Sequence, residues 1–198
     1  MQKKLSPLAI TGIVIAAVVV VLGIFGISTY NSLAKENQSV EAQWSQVENV
    51  MQRRADLIPN LVNAVKGSMK QEQTVFGDIA KARENYSAAK STTDKADADA
   101  QLNQSVGTLI NVINEKYPDL KSNSQVETLM TQLEGSENRI SVERKRYIDD
   151  VKTYNQHVVS FPKNIFAGMM GLGKKDTFKA SPGADKVPTV DLTGDSSK

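Results

Sequence analysis

The apolar positions of this chain fall into two regimes. From Leu8 to Ile27 nearly every residue is apolar, and Leu5 to Ala34 carries no charge. A bilayer hydrocarbon core of ~30 Å needs about 20 consecutive apolar residues in a helix. The pattern therefore predicts a transmembrane helix over residues 8–29, preceded by a short basic segment, 1–7. A cleaved signal peptide would have an apolar stretch of only about 7–15 residues ending in a small-x-small site. Here the run is longer and passes into Tyr30-Asn31 without such a site, so an uncleaved anchor is expected.

Beyond the span the apolar residues become periodic, and the period begins inside it. Ala9, Gly12, Ala16, Val19, Gly23 and Gly26 recur at steps of three and four. The same register continues through Tyr30, Leu33, Asn37, Val40, Trp44, Val47, Met51, Arg54, Ile58, Leu61 and Val65. One helix is thus predicted to leave the bilayer and become the first helix of the soluble part. Small residues let helix backbones approach closely in lipid, which makes Ala9, Gly12, Ala16, Gly23 and Gly26 a candidate self-association seam. Pro59 falls within this register. Proline removes the amide that would bond the carbonyl of Ala55 and costs ~3 kcal/mol in a helix interior. Because Ile58, Leu61, Val62 and Val65 keep the register across it, a kink rather than a stop is predicted.

Three further helices follow from the apolar spacing. One spans about 74–90, with Val75, Ile79, Ala82, Tyr86 and Ala89 inward. The polar stretch STTDKADADA, 91–100, is expected to turn the chain. The next helix covers about 95–116, with Leu102, Val106, Leu109 and Ile113 inward, and ends at Tyr117-Pro118, since the residue before proline avoids helical geometry. The last runs from Ser124, read with Glu127 as an S-x-x-E capping box, to about Val159. The fold class is all-α: an N-terminal transmembrane helix followed by an up-and-down four-helix bundle over 30–160. A three-helix bundle, with the first two helices joined as one long kinked helix, is the alternative. Residues 161–179 form an apolar C-terminal segment, and 180–198 a polar tail rich in Pro and Gly that is expected to be disordered.

Three polar residues sit on the inward stripes: Arg54, Glu137 and Arg144. A buried ion is tolerated only when paired, because desolvation costs several kcal/mol. Glu137 either pairs with Arg54 or Arg144 inside the bundle, or all three are boundary residues reaching water.

Charge and composition narrow the function. Net charge is +2, and outside Lys3 and Lys4 the 24 basic residues reduce to 22, matching 22 acidic ones. A nucleic-acid binder needs a basic face, so no nucleic-acid partner is expected. Lys3 and Lys4 precede the span and only Lys35 follows it before Arg53. By the positive-inside rule the N-terminus is expected to be cytoplasmic and the domain exported across the cytoplasmic (inner) membrane. The chain has no cysteine, which removes disulfides, thiolate zinc sites and cysteine nucleophiles. His157 is the only histidine and is read as a surface residue. Asp94, Asp97 and Asp99 lack the glycine and distal glutamate of a calcium loop and are read as a solvated turn. GMMGLGKK, 168–175, has neither a preceding strand nor a Ser or Thr after its lysine, so it is not a phosphate loop. No metal, cofactor or catalytic residue is assigned, and no enzymatic activity is expected.

The blocks WSQVE from Trp44, QRRADLIPNLVNAVKG from Gln52, YPDLKSN at 117–123, ENRISVERKRYIDDVKTYN at 137–155 and FPKNIFAG at 161–168 follow one another behind the apolar span. In that order they resemble the LemA family of bacterial membrane proteins, over essentially residues 5–178. The resemblance implies a membrane anchor followed by a four-helix bundle, with no agreed enzymatic activity and no established catalytic residues. The family includes relatives in magnetosome membranes, which makes membrane organisation one role the resemblance allows.

Two functional readings stand together. The first is a non-catalytic scaffold or adaptor for other membrane proteins. The second is a self-assembling structural or membrane-organising protein without a separate client. Both imply the bilayer as partner and a homo-oligomer. Candidate partner contacts are Arg53 and Asp56 beside the proline, and Phe166, Met169 and Met170 in the apolar segment. That segment either packs on the bundle, lies on the membrane surface, docks into a partner or subunit, or is mobile. Methionine suits adaptable contacts.

Overall fold

The computed structural model describes residues 7–178, with side chains from Ile10 onward. The basic start, the side chain of Ala9 and the tail assigned to 180–198 lie outside the described residues. Six helices follow in order: α1 Pro7–Lys66, α2 Gln73–Ala88, α3 Thr92–Lys116, α4 Pro118–Lys121, α5 Ser124–Val159 and α6 Lys163–Met169, with no strand among the described residues. The protein is all-helical.

The 60 residues of α1 make a rod of about 90 Å at 1.5 Å per residue. Its two halves differ in what surrounds them. From Ile10 to Ile27 the large apolar side chains are exposed, as a bilayer-facing surface requires. From Leu33 onward the inward register buries Leu33, Val40, Val47, Met51, Arg54, Ile58, Leu61 and Val65. The register slips at the junction: Thr29 is buried and Tyr30 exposed, since 3.6 residues per turn does not hold a seven-residue repeat on one line. Pro59 lies inside α1, which remains helical to Lys66. Gly67–Glu72 then turns the chain, with Met69 buried beneath the turn. The first two helices are therefore separate elements, not one continuous helix.

Two boundaries differ from the sequence expectation. The polar stretch 91–100 is not a turn. Ser91 caps α3 by accepting the Asp94 amide at 3.0 Å, and the helix starts at Thr92. Alanines at every second position from Ala96 to Ala100 favour the helix, and Asp94 complements its N-terminal dipole. At α5 the cap is Asn123 rather than Ser124. The Asn123 side chain accepts from the amides of Gln125 at 3.0 Å and Val126 at 3.3 Å. Ser124 becomes the first helical residue, so it and Glu127 cannot form the reciprocal box. Either residue type caps well, and here Asn123 supplies the cap.

The lower half of α1 runs antiparallel to α5. Glu36 meets His157, Ser39 meets Asp150, Gln43 meets Glu143 and Arg54 meets Glu137. The inward stripe of α5 is Val126, Leu129, Leu133, Ile140, Tyr147, Val151, Tyr154 and Val158, and Met130 packs on the core edge. α2 packs on α3, to which three residues join it, and brings Phe76, Ile79, Ala82 and Tyr86 into the same core.

Candidate functional site

A charged cluster is buried where α1, α3 and α5 meet. The Arg54 guanidinium donates to Glu137, to the Asp99 carboxylate, and to the Asp99 carbonyl at 3.1 Å. The other Asp99 oxygen accepts from Arg144 at 2.7 Å. Side-chain exposure is 3% for Arg54, 2% for Asp99, 25% for Arg144 and 35% for Glu137. Two cations meet two anions, so the cluster is neutral. Its hub is the fully desolvated Arg54–Asp99 pair. Arg54 finds its carboxylates on two different helices, which fixes their mutual register as a greasy contact would not. Asp99, read from sequence as part of a solvated turn, is the member the sequence reading missed. Its signal was available: Asp99 stands three residues before Leu102 on the inward face of α3. Tyr86 of α2 is buried beside the cluster, where burial, reinforced by the Asp99 charge, raises its phenol above the ordinary 10.0.

A second feature lies along the outer groove between α1 and α5. After α6 the chain closes in a Schellman turn, with Leu172 N bonding Ala167 O at 2.9 Å and Gly171 N bonding Gly168 O at 3.1 Å. Gly171 takes φ +66° there, the left-handed position that glycine fills without Cβ strain. The following residues, 173–178, form an extended strap that returns along the bundle. Asn155 clamps it: its side chain accepts the Lys175 amide and donates to the Lys175 carbonyl, both at 2.8 Å. Tyr147 donates its hydroxyl to the Asp176 carbonyl at 3.1 Å. Lys175 pairs with Glu41 at 3.1 Å, and that hydrogen bond and charge hold the Glu41 carboxyl below its usual 4.5. Phe178 then enters an aromatic cluster, 5.7 Å from Trp44 and 5.4 Å from Tyr147 between ring centroids. The Arg144 guanidinium sits 4.9 Å over the Phe178 ring. Arg144 thus joins the buried cluster to the strap. Beside Phe178 a groove of about 740 Å³ opens between Trp44, Thr92, Gln101, Arg144 and Tyr147.

The third feature is where α6 meets the apolar half of α1. α6 packs on α1 and α5. Ala167 is buried, and the Phe166 ring stands 6.3 Å from that of Phe25 at 63°. A Cβ built on Gly26 would lie 3.2 Å from the Phe166 ring. Gly26 is thus covered by the chain's own α6 rather than open for a second helix. Gly12 and Gly23 have nothing within 4 Å of such a Cβ. Of the candidate partner contacts, Phe166 and Met170 are turned inward against α1 and the core edge, while Met169 is exposed. Arg53 and Asp56 are exposed on α1, with Asp56 accepting from Gln52 at 2.8 Å. His157 is half-buried and bonds Glu36 at 2.7 Å. Among the described residues no group of His, Asp and Glu side chains has the arrangement to hold a metal ion.

The chain resembles magnetosome proteins MamQ 2 and MamQ 1 of Paramagnetospirillum magneticum, each 26% identical over 182 residues. MamQ of Magnetospirillum gryphiswaldense is 24% identical over the same length. Each alignment covers 79% of this chain, which spans 66% of the relatives' length. The LemA family model matches residues 43–192, from within α1 through the α5–α6 region and beyond the strap. This chain belongs to the LemA family.

Proposed function

We propose that this protein is a single-pass, non-catalytic membrane scaffold, an adaptor that holds a helical domain at a fixed place against the bilayer for other membrane proteins to bind. One observation carries the reading: the span and the first helix of the domain are a single element, α1. A continuous helix transmits position and orientation where a flexible linker would lose both. In this reading 8–29 is the anchor, 30–160 an up-and-down four-helix bundle, and Arg54, Asp99, Glu137 and Arg144 set its register. Pro59 is the kink that lets α1 follow the bundle. Exposed Arg53 and Asp56 remain available to a client. The anchor lies in the cytoplasmic membrane with the N-terminus inside and the domain exported, as the lysines before the span favour.

Self-assembly without a client is the second reading. It is favoured by Gly12 and Gly23, which stay open in the single chain, and Ala16 lies between them in the register. Gly12→Leu with Gly23→Leu should then weaken crosslinked oligomers. The relatives are named magnetosome proteins, and a shared membrane-organising role would fit either reading. The deciding measurement is the mass and composition of the full-length protein, extracted from its own host in a mild detergent. A second membrane protein in fixed ratio supports the adaptor, and copies of this chain alone overturn it in favour of assembly. Topology is read with Ser197→Cys in the otherwise cysteine-free chain. Labelling of intact cells by an impermeant reagent supports export, and labelling only after lysis refutes it.

A further inference from the structure

The largest apolar side chains left exposed outside the span are concentrated in one place. Phe161 is 80% exposed, Ile165 54% and Met169 80%. Ile165 and Met169 stand one turn apart on α6, and Phe161 precedes them by the same step. From Phe161 to Gly173 the only charged residue is Lys163. The opposite side of α6 is committed to the protein, with Phe166 against Phe25 and Gly26 and Ala167 buried.

That packing fixes the depth of α6. Phe25 and Gly26 are one or two residues inside the end of the apolar run at Ile27. At 1.5 Å per residue this is roughly 3 Å below the hydrocarbon boundary. Phe25, Ile24 and Ile27 are themselves exposed, so the bilayer that surrounds the span lies directly beside α6. The exposed face of α6 continues the span's lipid-facing surface.

We propose that α6 is a second membrane contact. Phe161, Ile165 and Met169 enter the lipid at the boundary from which α1 emerges, so the domain is seated on the bilayer as well as tethered to it. The proposal rests on α1 spanning the membrane. Apolar faces bind in this way at the headgroup–acyl boundary, and exposed apolar patches mark membrane or partner contacts. The continuous α1 ties the bundle to the span, and a second attachment point fixes the tilt and rotation of span and bundle together relative to the bilayer.

The test uses nitroxide labels on single cysteines in the full-length, naturally cysteine-free chain. It is reconstituted in nanodiscs of phosphatidylethanolamine and phosphatidylglycerol. Phe161→Cys, Ile165→Cys and Met169→Cys report on α6. Val142→Cys reports on water at α5, and Ile15→Cys on lipid at mid-span; both positions are exposed in the single chain. The readout is collision with oxygen, which partitions into lipid, relative to a water-soluble nickel chelate. At the α6 positions the ratio should be several-fold above that at Val142 and approach that at Ile15. A ratio equal to that at Val142 overturns the proposal. So does low collision with both reagents, which means that a protein covers the face instead. If Ile15 itself collides with the nickel reagent, the span reading fails and the proposal falls with it. A lipid-like Ile15 beside water-like α6 positions defeats the proposal alone.

Discussion

Substituting Asp99 by alanine separates a buried charge network from a decorative one. Asp99 is held by two guanidiniums, Arg54 on one oxygen and Arg144 on the other. Removing it strips the Arg54 guanidinium of its one fully buried carboxylate, and at 3% exposure that guanidinium has little access to water. Breaking a buried pair from one side costs ~3–5 kcal/mol. Two contacts survive, the bond to Glu137 and the bond to the residue-99 carbonyl, so the loss should fall near ~3 kcal/mol. At about 2–4 °C per kcal/mol for a chain of this size, Tm should drop by roughly 10 °C. Urea unfolding of the full-length protein in mild detergent, followed by Trp44 emission, gives the free energy directly. Glu137→Ala is the contrast. Glu137 is about one-third exposed, and Arg54 keeps Asp99, so its loss should cost only about 1 kcal/mol. The double change Arg54→Met with Asp99→Leu removes both desolvated charges together and should cost less than Asp99→Ala alone. An Asp99→Ala loss under about 1 kcal/mol, or one no larger than that of Glu137→Ala, would refute the hub assignment.

The strap offers further tests, all read by Trp44, the chain's single tryptophan. Asn155→Ala deletes both bonds to the Lys175 backbone, at about 1 kcal/mol each, and should shift emission to the red as Phe178 leaves. Unchanged emission would mean that the aromatic cluster alone holds the strap. Because Lys175 lowers the Glu41 carboxyl below 4.5, this pair stabilises the docked strap above that value and is lost as pH falls through the lowered one. Emission should therefore be flat from neutral pH down to about 4.5 and shift only below it, and Lys175→Met should abolish that step. Burial raises the phenols of Tyr86, Tyr147 and Tyr154 above 10.0. Folding stability is thus fully present below pH 10 and falls as pH rises past it, which unfolding curves on either side of pH 10 would show. Gly26→Leu should unseat Phe166, because a Cβ alone already approaches its ring to 3.2 Å. Gly12→Leu should leave α6 in place, and equal effects on a label at position 166 would contradict the packing.

The sequence by itself determined the helices and the long apolar run at the N-terminus, because both are set by spacing along one chain. A run of twenty-odd uncharged, mostly apolar residues is long enough to cross a bilayer, and an inward stripe at steps of three and four names its own face. The blocks from Trp44 to Gly168 also sufficed to point to the family that the residue 43–192 match establishes. Termini were less legible. Ser124 and Asn123 both cap well, and residue spacing does not choose between them. Tertiary structure alone decided what is carried between distant segments. Asp99 looked like one of three solvated aspartates until α3 was laid against Arg54 and Arg144. Gly26 looked like a free seam position until α6 returned to cover it. Packing of residues 161–179 on the bundle was one of four sequence alternatives; of the strap's anchors, Glu41 and Asn155 have no periodic signature, and Tyr147 lies on the inward stripe without naming what meets it. Their partners lie 20 to 134 residues away along the chain. A one-dimensional pattern records which face of a helix is buried, and what meets that face is settled only when the chain folds back on itself.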